Sequence, residues 1–384
     1  MMSRLHIYNP SHEMAMADNS HNFQASKRVV LMEQQLAALP LWWSEDGDSI
    51  LVTDVQRSVS WYEQMSEILS LPKVNWVDAA GFDVHSVTEI CPWGWNKSLW
   101  RKLSCLKERE LVSLNFIDAI RNLSSRETAV QVLRSFPLSD DWVGESFFCT
   151  NEEQIDAAIA HCGQYVLKAL WSSSGRGVML LQSPSSQQAR QLCSSFLKHG
   201  GGLVIEPQYD KVQDFAMEFW SDGAGGVRFA GYSFFTAEYG RYAANTVAPQ
   251  SMIRQLIQAD DTVLEQIQHH LTAQLAVLLG SRYKGPLGVD MMVVRHEGRL
   301  KVQPCVEINL RRNMGWLALT LAERYLAPGV TGRIVSDYQK LGIPPEQQAL
   351  RNRFTVENHR ISSGCLSLTP VYPDTLFQVY LQVD

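Results

Sequence analysis

Residues 285–312 read GPLGVDMMVVRHEGRLKVQPCVEINLRR. No other stretch constrains the fold as much. Two long apolar runs flank Glu297 and Gly298, which predicts an antiparallel hairpin turning there. Side chains alternate faces along a strand, so Glu307 and Asn309 point the same way, and Asp290 lies on the preceding strand. Acids among Val, Met and Ile are costly in a half-buried sheet unless a charge partner meets them. Oxygen ligands of this kind suit Mg²⁺, and a metal carried on nucleotide phosphates is such a partner. A plain hairpin about Gly298 pairs Asp290 with about residue 305, not with Glu307. A bulge corrects that register, and Pro304, which cannot donate to a ladder, marks the place for it. Arg311 and Arg312 follow, where guanidinium groups would meet a phosphoryl group in transfer or a substrate carboxylate. The competing reading is a surface hairpin whose acids are solvated.

A second ribbon precedes it. Residues 165–181, YVLKALWSSSGRGVMLL, form an apolar strand, a small-residue loop and another apolar strand. Val166, Lys168 and Leu170 share one face. A lysine inside such a strand either reaches the sheet edge, where it deters aggregation, or meets an anion. The loop supports the anion. Ser172, Ser173, Ser174, Gly175 and Gly177 leave backbone N–H groups unshielded, the glycines allow positive φ, and Arg176 adds donors. This is no Walker loop, because GxxxxGK[ST] is absent and no helix follows.

Elsewhere the pattern is mixed. RLHIY, SILVTDV (49–55) and KVNWVD (73–78) read as strands, with helices around 29–38 and 61–70, which predicts an open parallel sheet. No GxGxxG follows the first strand. Residues 93–134 read as helical, a long helix spans about 259–279, and the tail is rich in strands. Net charge is 34 − 40 = −6, which argues against a protein whose main task is gripping nucleic acid. Seven scattered cysteines without CxxC spacing read as reduced thiols of a cytoplasmic protein. No apolar run approaches the ~20 residues of a membrane span, and the first residues carry no signal-like apolar core.

Lys168 with its Ser/Gly loop, VIEP after it, then GVD and VEINLRR, resemble in that order the motifs of the ATP-grasp superfamily, over roughly residues 95–330. Within it the E-x-N-x-R strand is most similar to that of the carboxylate–amine ligases. The resemblance implies an α/β chain, α+β in its nucleotide-binding part. A Rossmann-like unit would occupy 1–92, a helical linker and the start of the ATP-grasp fold 93–150, a small lid subdomain 151–212, and a large metal-binding subdomain with a β-rich tail 213–384. It implies ATP as co-substrate and Mg²⁺, with Mn²⁺ as a second candidate. Lys168 would contact the α-phosphate and adenine side. Ser172, Ser173, Ser174, Gly175, Arg176 and Gly177 would cover the β- and γ-phosphates. Glu206, Gln208 and Tyr209 would belong to the hinge that reads the adenine edge through its backbone, and Asp214 would bind ribose. Asp290, Glu307 and Asn309 would hold the metal, and Arg311 or Arg312 would steady an acyl phosphate. Lys97 would be an earlier ATP lysine, although a solvated lysine fits its helical stretch equally well. The substrates would be a small-molecule or peptide carboxylate and an amine. A small-molecule kinase, or a nucleotide-binding protein without catalysis, are the alternatives on the same fold.

NPSHE (Asn9, His12, Glu13) ends the first strand, where open sheets bind ligands, and could touch the acceptor substrate. A helix cap explains Asn9 and Pro10 without function and is the favoured reading. Arg241 and Asn245 could face the γ-phosphate from the loop between the ribbons. His269 and His270 read as helix-surface residues, and the Trp-rich CPWGWNKSLW as core or interface.

Overall fold

The computed structural model describes residues 3–83, 86–103, 112–162, 164–172, 177–181, 187–238, 241–340 and 352–384. The amino-terminal part alternates strand and helix: β1 (Arg4–Ile7), α1 (His12–Asp18), α2 (Lys27–Gln35), a 3₁₀ turn (Leu39–Trp43), β2 (Ser49–Leu51), α3 (Val55–Ser66), β3 (Asn75–Val77), β4 (Glu89–Pro92) and α4 (Lys97–Lys102). Its strands form a parallel sheet in the order β3-β2-β1-β4. The second strand is shorter than SILVTDV suggests, and the helix after it starts six residues earlier than expected. The reason is local. The Asp54 carboxylate accepts the Arg57 N–H and caps α3, so the chain turns helical at Val55.

Two capped helices lead onward, α5 (Leu114–Leu123) and α6 (Arg126–Arg134). Ser113 and Ser125 supply the caps. A small sheet follows, built from β5 (Phe147–Cys149), α7 (Glu152–Cys162), β6 (Tyr165–Ala169), β7 (Val178–Leu181), α8 (Gln187–Gly200) and β8 (Leu203–Pro207). The order is β5-β8-β6-β7, antiparallel throughout. Tyr165, Leu167, Leu203 and Ile205 bury one face against Ile155, Ala158, Ala189 and Cys193 of the helices. Alternation turns Val166, Lys168, Val204 and Glu206 to the other face.

The rest is one nine-stranded antiparallel sheet. Its elements are β9 (Asp210–Asp222), β10 (Val227–Glu238), β11 (Arg241–Val247), α9 (Gln250–Leu256), α10 (Asp261–Leu279), β12 (Lys284–His296), β13 (Arg299–Asn309), α11 (Met314–Arg324), β14 (Gly332–Tyr338), β15 (Phe354–Glu357), β16 (Arg360–Ser367) and β17 (Phe377–Val383). Strand order is β13-β12-β9-β10-β11-β14-β17-β16-β15. The tail therefore extends the sheet. It also packs on the first unit, where the Trp42 indole N–H donates to the Leu368 carbonyl at 2.7 Å.

The two faces of this sheet explain its central strands. Phe215, Met217, Phe219, Val289, Met291 and Ile308 join Leu264, Ile267, Leu271 and Leu275 of α10 in one core. Register then places Asp214, Glu218, Ser233, Asp290, Glu307 and Asn309 together on the opposite face.

A candidate nucleotide and metal site between two ribbons

The β12–β13 ribbon turns at Glu297 and Gly298, both at positive φ (51° and 76°), with His296 opposite Arg299. That is the two-residue turn whose twist suits a hairpin. Past the turn Met292 pairs with Gln303, but Asp290 pairs with Glu307. The slip lies across Pro304, so the bulge needed to bring the two acids face to face is present. Asn309 Nδ2 donates to Asp290 Oδ2 at 3.0 Å. Burial, and then the neighbouring Glu307 charge, push the Asp290 carboxyl up to about 7. Two acids and a carboxamide on one face offer hard oxygen atoms of the kind a divalent cation takes, and Glu307 is paired here with Arg126.

Lys168 is buried, and its Nζ donates to Glu206 Oε2 at 2.6 Å. The pair arises from register: Lys168 sits opposite Val204, two residues from Glu206 on the same face. Ser146 donates to the other Glu206 oxygen at 3.1 Å. The protein thus supplies the anion that the lone strand lysine implied. Gln208 N–H donates to the Gln164 carbonyl at 3.0 Å, and the Tyr209 hydroxyl accepts from Glu145 N–H at 3.1 Å. Asp214 is held by Lys211 at 2.6 Å.

Sequence reasoning missed the residue that joins the ribbons. Arg126, buried at the start of α6, donates from Nη1 to the Ala169 carbonyl at 2.5 Å and to Ser172 Oγ at 2.7 Å. Its Nη2 donates to both carboxylate oxygens of Glu307 at 3.1 Å. One guanidinium therefore ties the end of the lysine strand to the acidic strand. Cys305 stands at the same junction. Burial pushes its thiol up, and the charges of Glu206, Asp290, Lys168 and Glu307 all act on it. The signal for Arg126 was thin: a serine cap followed by an arginine where the first turn of a helix prefers acids.

Arg311 and Arg312 diverge. Arg311 Nε donates to Glu13 Oε1 at 2.8 Å, which ties the acidic ribbon to α1. Arg312 turns away towards the Trp43 and Trp316 rings, 5.3 and 6.0 Å from its guanidinium carbon. Lys97 starts α4 and pairs with Asp118 at 2.9 Å. Gly177 is not at positive φ. It is there for space, since a Cβ would lie 2.5 Å from that of Ser172. Ser173, Ser174, Gly175 and Arg176 lie outside the described residues. Asn245 donates to Ser233 Oγ at 2.9 Å, and His270 meets Ser135 at 2.9 Å beside Phe136.

One further residue on this side escaped sequence reasoning. Glu218 is fully buried, with Asn313 donating to Oε2 at 2.9 Å and Oε1 without a partner among the described residues. Cβ atoms at Gly288 and Gly315 would come within 2.6 and 2.1 Å of its carboxylate, so both glycines are required by space. Burial pushes this acid up to about 8. An acid inside DFAMEFW was signal enough, by the cost reasoning applied to Lys168. Asn9 does not cap α1, contrary to the favoured reading. Its side chain instead pairs with both backbone groups of Gly94, at 2.8 and 3.2 Å. Behind it the His12 imidazole is buried and held neutral, burial pushing it down to about 3.

No family model matches the chain, and no curated protein matches it. Solved structures do. Biotin carboxylase of Campylobacter jejuni, solved as a β,γ-ATP complex, is similar with a TM-score of 0.57 and 11% identity, over 100% of this chain and 88% of that one. The biotin carboxylase domain of Hydrogenobacter thermophilus 2-oxoglutarate carboxylase, with MgADP, ADP and bicarbonate, gives 0.54 and 10%, over 100% and 86%. N5-carboxyaminoimidazole ribonucleotide synthetase of Thermus thermophilus gives 0.51 and 12%, over 99% and 93%. The chain shares the fold of these structures, in line with the fold that the ATP-grasp resemblance implies.

Proposed function

We propose that the protein is an ATP- and Mg²⁺-dependent ligase that joins a carboxylate to an amine through an acyl phosphate. One observation carries this reading: Arg126 fastens Ala169 and Ser172 of the lysine ribbon to Glu307 of the acidic ribbon. Cationic and acidic groups thereby line one site, as a nucleotide triphosphate with its metal requires. Structures of the same fold hold ATP or ADP, which supports a nucleotide here.

Asp290, Glu307 and Asn309 would hold Mg²⁺, which supplies charge for the phosphate oxygens. Lys168 and the N–H groups of the loop after it bind the phosphates. The Glu206–Tyr209 segment offers backbone groups to adenine, and Asp214 accepts from ribose. Arg311 stands beside the carboxyl group that attacks the γ-phosphorus. The carboxylate oxygen forms the new P–O bond as the β–γ bridging bond breaks and ADP leaves. The amine then forms the C–N bond, inorganic phosphate departs and the amine gives up a proton. The protein lowers these barriers by position and charge, the main device of phosphoryl transfer. No nucleophilic residue of its own is needed. Arg312, turned to the tryptophans, has no part in these steps.

The test is to screen carboxylate and amine pools for ADP formation by the purified protein. A ligase releases inorganic phosphate in step with ADP. A kinase would leave that phosphate on the product.

A further inference from the structure

The NPSHE segment enters the site described above. His12 and Glu13 line a narrow cleft together with Trp171, Ser172, Glu307 and Arg311. Three parts of the chain meet there: the end of β1, the root of the β6–β7 loop and the acidic strand. Arg121 braces the junction. Its guanidinium carbon lies 3.5 Å from the Trp171 ring centroid, and its Nε donates to the Met16 carbonyl of α1 at 2.7 Å.

His12 is the anomaly in this cleft. Its side chain is 3% exposed, yet neither ring nitrogen has a hydrogen-bond partner among the described residues. Glu13 Oε1 is 3.9 Å from Nε2, beyond hydrogen-bond reach. A buried unpaired imidazole costs stability unless something else uses it. Its placement is enforced. Gly94 lies against the ring, where a Cβ would come within 2.3 Å of Cγ and Nδ1. Gly94 is itself fixed by the two bonds from Asn9. Asn9, Gly94 and His12 therefore form a built unit that presents one ring to the cleft.

Resting on the ligase reading, we infer that His12 binds the substrate carboxylate, one ring N–H donating to the oxygen pair that receives the γ-phosphoryl group. The chemistry favours a carboxylate. Arg311, the cation of the cleft, attracts one, and Glu13 holds that guanidinium in place. The carboxylate must attack phosphorus as an anion. A neutral imidazole orients it by a hydrogen bond without protonating it, whereas an imidazolium would compete for its charge. No proton moves in the step: one P–O bond forms and one breaks. His12 is thus assigned as a contact to substrate, with Gly94 and Asn9 as its positioning residues.

The experiment uses the full chain labelled with ¹⁵N at histidine and saturated with MgADP. Sodium acetate is the carboxylate probe, and methylammonium chloride at equal ionic strength is the amine probe. Ring resonances absent from His12→Gln are expected to move saturably with acetate and not with methylammonium. Gly94→Ala, which displaces the ring without removing it, is expected to weaken acetate binding about tenfold or more while MgADP affinity is unchanged. A His12 response to methylammonium alone, or to neither probe, would overturn the inference while MgADP binding stands. Failure of MgADP to bind the wild-type protein would sink the ligase reading and this inference with it.

Discussion

Arg126 Nη2 lies 3.1 Å from both oxygens of Glu307, across 181 residues of chain. In the absence of nucleotide this guanidinium neutralises the acid that would hold the metal. Arg126→Met should therefore lower stability by about 2 kcal/mol in urea titration at low divalent ion. Millimolar Mg²⁺ should recover more of that loss in the variant than it adds to the wild type, because Glu307 is then free to take the cation.

Lys168 and Glu206 are both buried and 2.6 Å apart. Lys168→Met leaves a buried carboxylate with two neutral donors, Ser146 at 3.1 Å and Gln303 at 3.5 Å. It should cost about 3–5 kcal/mol, and adding Glu206→Gln should return much of it. Nucleotide affinity should not return in the double variant, since the phosphate contact proposed for Lys168 is gone. Calorimetric titration with ADP separates the two effects.

Asp290→Asn and Glu307→Gln should each leave the fold intact and remove the Mg²⁺ dependence of nucleotide binding. Binding measured with and without Mg²⁺ should differ by about tenfold or more in the wild type and by little in either variant.

Glu218 gives a pH signature. Its carboxyl is pushed up to about 8 in the folded chain, from 4.5. The folded state therefore keeps a proton that the unfolded state releases. This contribution to stability is fully present below the ordinary value and is lost as pH rises through 8. Urea midpoints at pH 5 and pH 9 should show wild type losing on the order of a few kcal/mol relative to Glu218→Gln. An equal slope for both proteins would contradict the burial of a protonated acid there.

Much of the site was legible because buried charge is expensive and alternation fixes its face. Lys168, Asp290, Glu307 and Asn309 stand out in apolar strands, and the Pro304 bulge follows from register alone. The same reasoning reaches Glu218 once it is applied to DFAMEFW. Arg126 was barely legible, because an arginine in the first turn of a helix carries only a small local cost, and its partners lie 43 and 181 residues away. For His12 a substrate contact was legible but outweighed: Asn9 and Pro10 look like a helix start, and only the tertiary pairing of Asn9 with Gly94 shows otherwise. Arg311 and Arg312 could not be told apart in sequence. A turn follows β13, and alternation no longer governs where their side chains point.

Acyl phosphate formation is the central claim, and hydroxylamine trapping reads it directly. The protein is incubated with MgATP, a pool of carboxylates and hydroxylamine in place of the amine. A ligase of this kind should form hydroxamate in step with ADP and inorganic phosphate, and Glu307→Gln should form none. ADP produced together with a stable phosphorylated product and no hydroxamate would contradict it.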